Sequence, residues 1–183
     1  MSTLEKIVLI SPQEYLDGEQ YSDVRHEYVA GRVYAMVGAS RAHNLIVGNF
    51  HAALHGHLRR KPCQVFATDM KVHFADTFYY PDVMVVCESS DRHDYYCEHP
   101  ILIIEVISPS TEARDTLEKR VAYQSLESLN EYLLVAQDKM EVRIYRRTDE
   151  AWELETCAEK DQVRLTSVGL EIPIEQIYED VWS

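Results

Sequence analysis

Residues 101–108 read Ile-Leu-Ile-Ile-Glu-Val-Ile-Ser, and this stretch decides the fold. A nearly unbroken apolar run of this length marks a strand covered on both faces, as in a sheet flanked by helices. Glu105 interrupts the run. An ionised carboxylate buried without a partner costs on the order of several kcal/mol, so the chain must supply a hydrogen-bond donor, a cation or a metal ion. Buried acids concentrate at functional sites. The bland alternative is a structural bond from an arginine or a backbone amide.

Downstream, TEARDTLEKRVAYQSLESL (111–129) reads as a helix capped by Ser110, with Leu117, Val121 and then Gln124 or Ser125 on its inner face. The strands EYLLVAQ (131–137) and MEVRIYRR (140–147) flank a turn at Asp138-Lys139. This strand, helix, strand order favours a mixed sheet with at least one crossover helix. WELETC (152–157), a strand centred on Gly169 and a short helix near IEQIYEDVW (174–182) complete the chain.

Upstream, YYPDVMVVC (79–87) and QVFATDMKVHF (64–74) read as one strand each, and the polar segment DRHDYYCEHP (91–100) shows no regular period. In AHNLIVGNFHAALHGHLRR (42–60), Ile46, Phe50, Leu54 and Leu58 recur every four residues, which predicts one core-facing helix. VRHEYVAGRVYAMV (24–37) is apolar on both sides of Ala30-Gly31 and reads as a hairpin, with Glu27 on its first strand. Ser11, Pro12 and Glu14 form a helix-start signature for a short helix through about Asp17. The expected fold is α/β (α+β), a mixed central sheet flanked by helices with an N-terminal hairpin. At 183 residues it is one domain spanning 1–183.

Composition narrows the function. Only Lys6 is basic among the first 16 residues, the apolar run Ile7 to Ile10 is too short for a signal-peptide core, and no stretch approaches the roughly 20 apolar residues of a membrane span. The expectation is a cytoplasmic protein with no membrane contact. Cys63, Cys87, Cys97 and Cys157 lack C-x-x-C pairing and sit in or beside apolar segments, so they read as reduced, buried thiols rather than zinc ligands. A net charge of −13 opposes a broadly basic nucleic-acid surface, so DNA contact must rest on local clusters such as Arg59, Arg60 and Lys61, or Arg143, Arg146 and Arg147.

Asp82 opens the strand DVMVVC directly after Pro81, a residue that can start a strand but cannot donate to its ladder. Adjacent strands would bring Asp82 beside Glu105. Two hard oxygen ligands and a backbone carbonyl such as that of Val106 would seat Mg²⁺ or Mn²⁺.

In order along the chain, R-H-E-Y-V-A-G-R-V, His43 at a helix start, Pro81-Asp82-Val83, E-V-I-S-P-S-T at 105–111, D-x-x-x-K at 115–119 and E-Y-L-L-V at 131–135 resemble the Uma-two family. These restriction-endonuclease-like proteins belong to the PD-(D/E)XK nuclease superfamily. The resemblance covers most of the chain and implies a restriction-endonuclease-like core with metal-dependent phosphodiester cleavage. Two residues after Glu105, where the superfamily usually has lysine, stands Ile107. The resemblance offers Lys119 instead, to orient a water or stabilise developing charge, and Glu27 as a further acid that binds a second metal or fixes Lys119. It also implies a site-lining role for His43.

Bland readings stand beside these. Lys119 with Asp115 one turn earlier makes an ordinary helix-surface pair. His51 and His55 share a helix face but lack the acid of H-E-x-x-H and a third ligand. Ser108, Ser110 and Thr111 have no G-x-S-x-G elbow and are explained by helix capping, with Ser108 lining the site. Tyr79, Tyr80, Tyr95 and Tyr96 flank it in sequence. The functional expectation is a Mg²⁺-dependent DNA endonuclease acting as a homodimer. Its rivals are a catalytically silent, nuclease-derived module working through a protein partner, and a hydrolase of phosphorylated small molecules.

Overall fold

The computed structural model describes residues 9–108 and 115–182. The N-terminal helix α1 (Pro12–Glu19) starts with a complete capping box: Glu14 N–H donates to the Ser11 hydroxyl at 3.2 Å, and Ser11 N–H donates to the Glu14 carboxylate at 2.8 Å. It runs one residue pair past Asp17 and buries Tyr15. Strands β1 (His26–Val29) and β2 (Arg32–Ala35) form the expected hairpin. Its turn holds Ala30 and Gly31 at φ 47° and 85°, and a Cβ on Gly31 would lie 3.0 Å from that of Leu9. Positive φ at both turn residues matches the right-handed twist of the strands it joins.

Helix α2 (Arg41–Leu58) is capped by Ser40, whose hydroxyl accepts the His43 N–H, and buries Ile46, Phe50, Leu54 and Leu58 as their spacing predicts. The run 64–74 is not one strand. It divides into β3 (Gln64–Ala67) and β4 (Lys71–Phe74), which belong to different sheets. Thr68 between them has φ 56°, a left-handed conformation that ends an extended run. Then come β5 (Thr77–Tyr79), β6 (Val83–Val86) after the Pro81-Asp82 pair, and β7 (Tyr96–Cys97), a two-residue strand inside the aperiodic segment.

Strand β8 (Pro100–Ile107) contains the deciding run. It leads to α3 (Asp115–Gln124), β9 (Glu131–Ala136), β10 (Glu141–Arg147) and β11 (Trp152–Ala158). The Ser110 cap and the expected first turn of the helix lie outside the described residues. Leu117 and Val121 do not face inward; they are 55% and 60% exposed, whereas Tyr123 is fully buried. Strands β12 (Gln162–Leu165) and β13 (Leu170–Pro173) pair with each other, and α4 (Ile174–Ile177) follows. Gly169 is the turn between that pair at φ 66°, not a strand centre.

The larger sheet has the order β11-β10-β9-β8-β6-β3, with β8 and β9 parallel and its other neighbours antiparallel. The α3 segment supplies the crossover between β8 and β9, so the sheet is mixed as expected. The smaller sheet runs β2-β1-β5-β4-β7. Helix α2 covers one face of the larger sheet through Ile46, Phe50 and Leu54 against Val83, Leu102, Ile104 and Leu133. Met84, Ile103, Tyr123, Tyr132 and Leu134 form the core on the opposite face. Glu131 ties the two-stranded sheet to the larger one. Its buried carboxylate accepts from Arg146 Nε, from Thr166 N and Oγ1, and from Ser167 N and Oγ.

Two expectations about surface and redox state change. Cys63 and Cys87 form a disulfide, while Cys97 and Cys157 are free and buried. The pairing of Gln64 with Val86 places the two flanking cysteines opposite each other, a consequence of register that spacing could not show. Arg146 and Arg147 are held internally. Arg146 engages Glu131, Glu155 and the Arg164 carbonyl, and Arg147 donates to the carbonyls of Gln124, Leu126 and Leu129. Among the described residues, no helix is long and apolar enough to cross a membrane.

Candidate functional site

The β6–β8 register pairs Val83 with Ile104 and Met84 with Ile103, so one residue earlier Asp82 comes opposite Glu105. Alternation along both strands puts the two acids on the Met84 and Ile103 face, the side covered by α3. Asp82 Oδ2 accepts the Val106 N–H at 2.7 Å and lies 3.1 Å from His43 Nε2, at the start of α2. An ionised carboxylate only accepts, so this contact is a hydrogen bond when His43 carries a proton on Nε2. Burial disfavours the charged imidazole; the bond to Asp82 and the charges of Asp82 and Glu105 outweigh it and raise the His43 pKa.

Glu105 is 8% exposed. Its Oε1 accepts the Tyr123 hydroxyl at 2.8 Å and lies 3.6 Å from Lys119 Nζ. Burial is the main reason its pKa is pushed up to about 8; the Lys119 cation opposes the rise, and the Asp82 and Glu27 charges add to it. Lys119 cannot fully offset burial because its ammonium is shared. Nζ donates to Glu27 Oε1 at 2.7 Å, closer than it lies to Glu105, and sits 5.2 Å from the centre of the Tyr79 ring. Burial disfavours that ammonium, but the Glu105 and Glu27 charges prevail and hold the Lys119 pKa above its ordinary value. The helix-surface reading of Lys119 is thereby displaced.

His43, Asp82, Glu105, Val106 and Lys119 line one cavity of about 150 Å³. It adjoins a wider cleft of about 590 Å³ that shares His43, Tyr80, Asp82 and Val106 and includes Ser108. Glu27 stands behind Lys119 rather than on the cavity wall. Of the four tyrosines that flank the site in sequence, Tyr79 and Tyr80 are beside it. Tyr96 packs instead with Phe78, His73 and His93, and Tyr95 is exposed. Tyr123 is the residue that sequence reasoning missed. The available signal was its spacing of four from Lys119, which places both on one helix face.

Among the described residues, no three His, Cys, Asp or Glu side chains converge into a metal cage. Mg²⁺ does not need one, since it is commonly held by one or two carboxylates and keeps several waters. Asp82 Oδ1 and Glu105 Oε2 carry no hydrogen bond among the described residues, and both residues line the small cavity, so two hard oxygens there fit such an ion. His51 and His55 stack at 5.8 Å without a third ligand among the described residues.

A mixed sheet with one acid on a central strand, another just before the neighbouring strand and a lysine on the crossover helix defines a restriction-endonuclease-like α+β protein. Over residues 12–175 the chain matches the family described as "Putative restriction endonuclease". It belongs to that family, Uma2. Two Synechocystis proteins, both described as uncharacterised, are similar to it. The protein slr1290 is 35% identical over 92% of this chain and 91% of its own length; sll1609 is 30% identical over 79% and 85%. A crystal structure from Anabaena variabilis, described as "a putative nuclease belonging to DUF820", superposes with a TM-score of 0.75 over 94% of this chain and 99% of that one. At 17% identity that likeness concerns the fold.

Proposed function

We propose that this protein is a Mg²⁺-dependent (or Mn²⁺-dependent) endonuclease that hydrolyses phosphodiester bonds in DNA. The observation that carries the reading is the convergence of Asp82, Glu105, Val106 and Lys119 on one small cavity. The carboxylates of Asp82 and Glu105 with the Val106 carbonyl are the groups that hold the metal. When bound, Mg²⁺ supplies Lewis-acid polarisation of the phosphate and lowers the pKa of a water. The Val106 N–H fixes Asp82, and Glu27 fixes the Lys119 ammonium. Lys119 balances the negative charge that builds on the phosphate oxygens as water adds to phosphorus and the ester P–O bond breaks. His43 orients Asp82 from the cleft side, and Ser108 lines the approach.

Cutting both strands of a duplex usually takes two such sites, so the active unit in this reading is a homodimer working in the cytoplasm. The test is incubation of purified protein with supercoiled plasmid and Mg²⁺ or Mn²⁺. Nicking should fall at least about 100-fold in Asp82→Ala and Glu105→Ala, the scale at which loss of one electrostatic catalytic group is felt. Equal nicking by wild type and variants overturns the reading.

The charge of −13, with Arg146 and Arg147 engaged internally, favours a second reading, a silent module acting through a protein partner. It predicts no carboxylate-dependent metal binding in calorimetry, with partner capture unchanged in Asp82→Ala.

A further inference from the structure

We infer that Tyr123 is a positioning residue for the metal-binding carboxylate: its hydroxyl holds Glu105 Oε1, leaving Oε2 as the oxygen that meets the cation. The inference rests on the metal site proposed above. A carboxylate on a flexible two-carbon arm can rotate and present either oxygen, or both, to an ion. Here the choice is made beforehand. Tyr123 donates to Oε1 at 2.8 Å, and Lys119 approaches that same oxygen at 3.6 Å. Both donors come from α3, four residues apart and on one face, so a single rigid element sets the carboxylate's orientation.

The ring of Tyr123 is itself immobilised. It is fully buried between Tyr79, Tyr132 and Phe74, with ring centres 5.5, 5.3 and 6.1 Å away. Phe74 and Tyr79 come from the smaller sheet and Tyr132 from the larger, so the hydroxyl is aimed by both. The helix gives up apolar burial to achieve this. Leu117 and Val121 lie largely exposed while the face carrying a lysine and a phenol turns inward. A helix positioned only by hydrophobic packing would present the opposite face.

Outer partners that orient a ligand typically change metal affinity by about 10–100-fold when removed. Titration of the purified full chain with MnCl₂ by calorimetry tests the assignment. Tyr123→Phe keeps the ring and removes only the hydroxyl. The expected result is Mn²⁺ binding weakened about 10–100-fold. Plasmid nicking should recover at correspondingly higher Mn²⁺. Wild-type affinity in Tyr123→Phe, whether or not its thermal midpoint falls, overturns the inference and leaves the metal site standing, because a packing residue moves stability alone. No Mn²⁺ binding by wild type overturns the site and this inference together. Glu105→Gln is the reference for lost ligation, and its binding must be weaker than that of Tyr123→Phe.

Discussion

Glu105 meets opposing demands: the apolar strand that makes it rigid also makes its charge costly. With its pKa moved from an ordinary 4.5 up to about 8, the folded protein retains a proton that the unfolded chain has released between those values. The contribution to stability is therefore complete below about pH 4.5 and is lost as pH rises through about 8. His43 is shifted upward as well, with the same sign and an overlapping window, so the useful quantity is a difference between proteins. In chelator, the thermal midpoint of wild type should fall from pH 5 to pH 8.5 more steeply than that of Glu105→Gln, which has nothing to ionise there. Mn²⁺ should restore the wild-type midpoint at the alkaline end, since ligation requires the ionised carboxylate. Parallel pH profiles for the two proteins would contradict this account. Lys119, shifted upward from an ordinary 10.5, acts outside that window.

At the scale of elements, α3 separates what a periodic pattern reveals from what it hides. Leu117 and Val121 are four apart, and so are Lys119 and Tyr123. An offset of two residues turns one pair nearly to the opposite side of the helix from the other. Apolar identity selects the first pair for the core, but the half-buried acid on β1 and the buried one on β8 need the donors of the second. Replacing Leu117 and Val121 singly by Gln should change the urea unfolding free energy by no more than about 0.5 kcal/mol, as at ordinary surface positions. Losses of about 2–5 kcal/mol, the scale of core truncations, would show that these side chains are buried after all. The same limit applies to residues 64–74. Their apolar content reports strand correctly, but the break at Thr68, which sends β3 and β4 to separate sheets, has no signature such as glycine or proline.

For the whole molecule, the Cys63–Cys87 bond joins β3 to β6 at the end of β6 remote from Asp82. It links residues 24 apart, and a loop of that size loses at most about 3.5 kcal/mol of chain entropy on closure. The β3–β6 ladder and the α2 core already hold these strands together, so a fold proposed to work in a reducing cytoplasm does not depend on the bond. The double variant Cys63→Ser/Cys87→Ser should unfold at lower urea, by up to that amount, and nick plasmid at a rate within about twofold of wild type. A variant that is unfolded in buffer would make the disulfide essential to the fold.

Sequence alone determined the strand character of 101–108, the hairpin at Ala30-Gly31, the inner face of α2 and the two acids that interrupt or open apolar strands. These are local matters. Period, turn chemistry and a charge within an apolar run depend on residues a few positions apart. Lys119 came chiefly from family resemblance, because an isolated i,i+4 charge pair carries almost no information. Only the tertiary structure decided which face of α3 is buried, that Tyr123 donates to Glu105, that Cys63 meets Cys87, and that Arg146 and Arg147 are engaged internally. Each depends on strand register and on how one element lies across another. Those are set by the summed burial and hydrogen bonding of residues distant in the chain, which no local window contains.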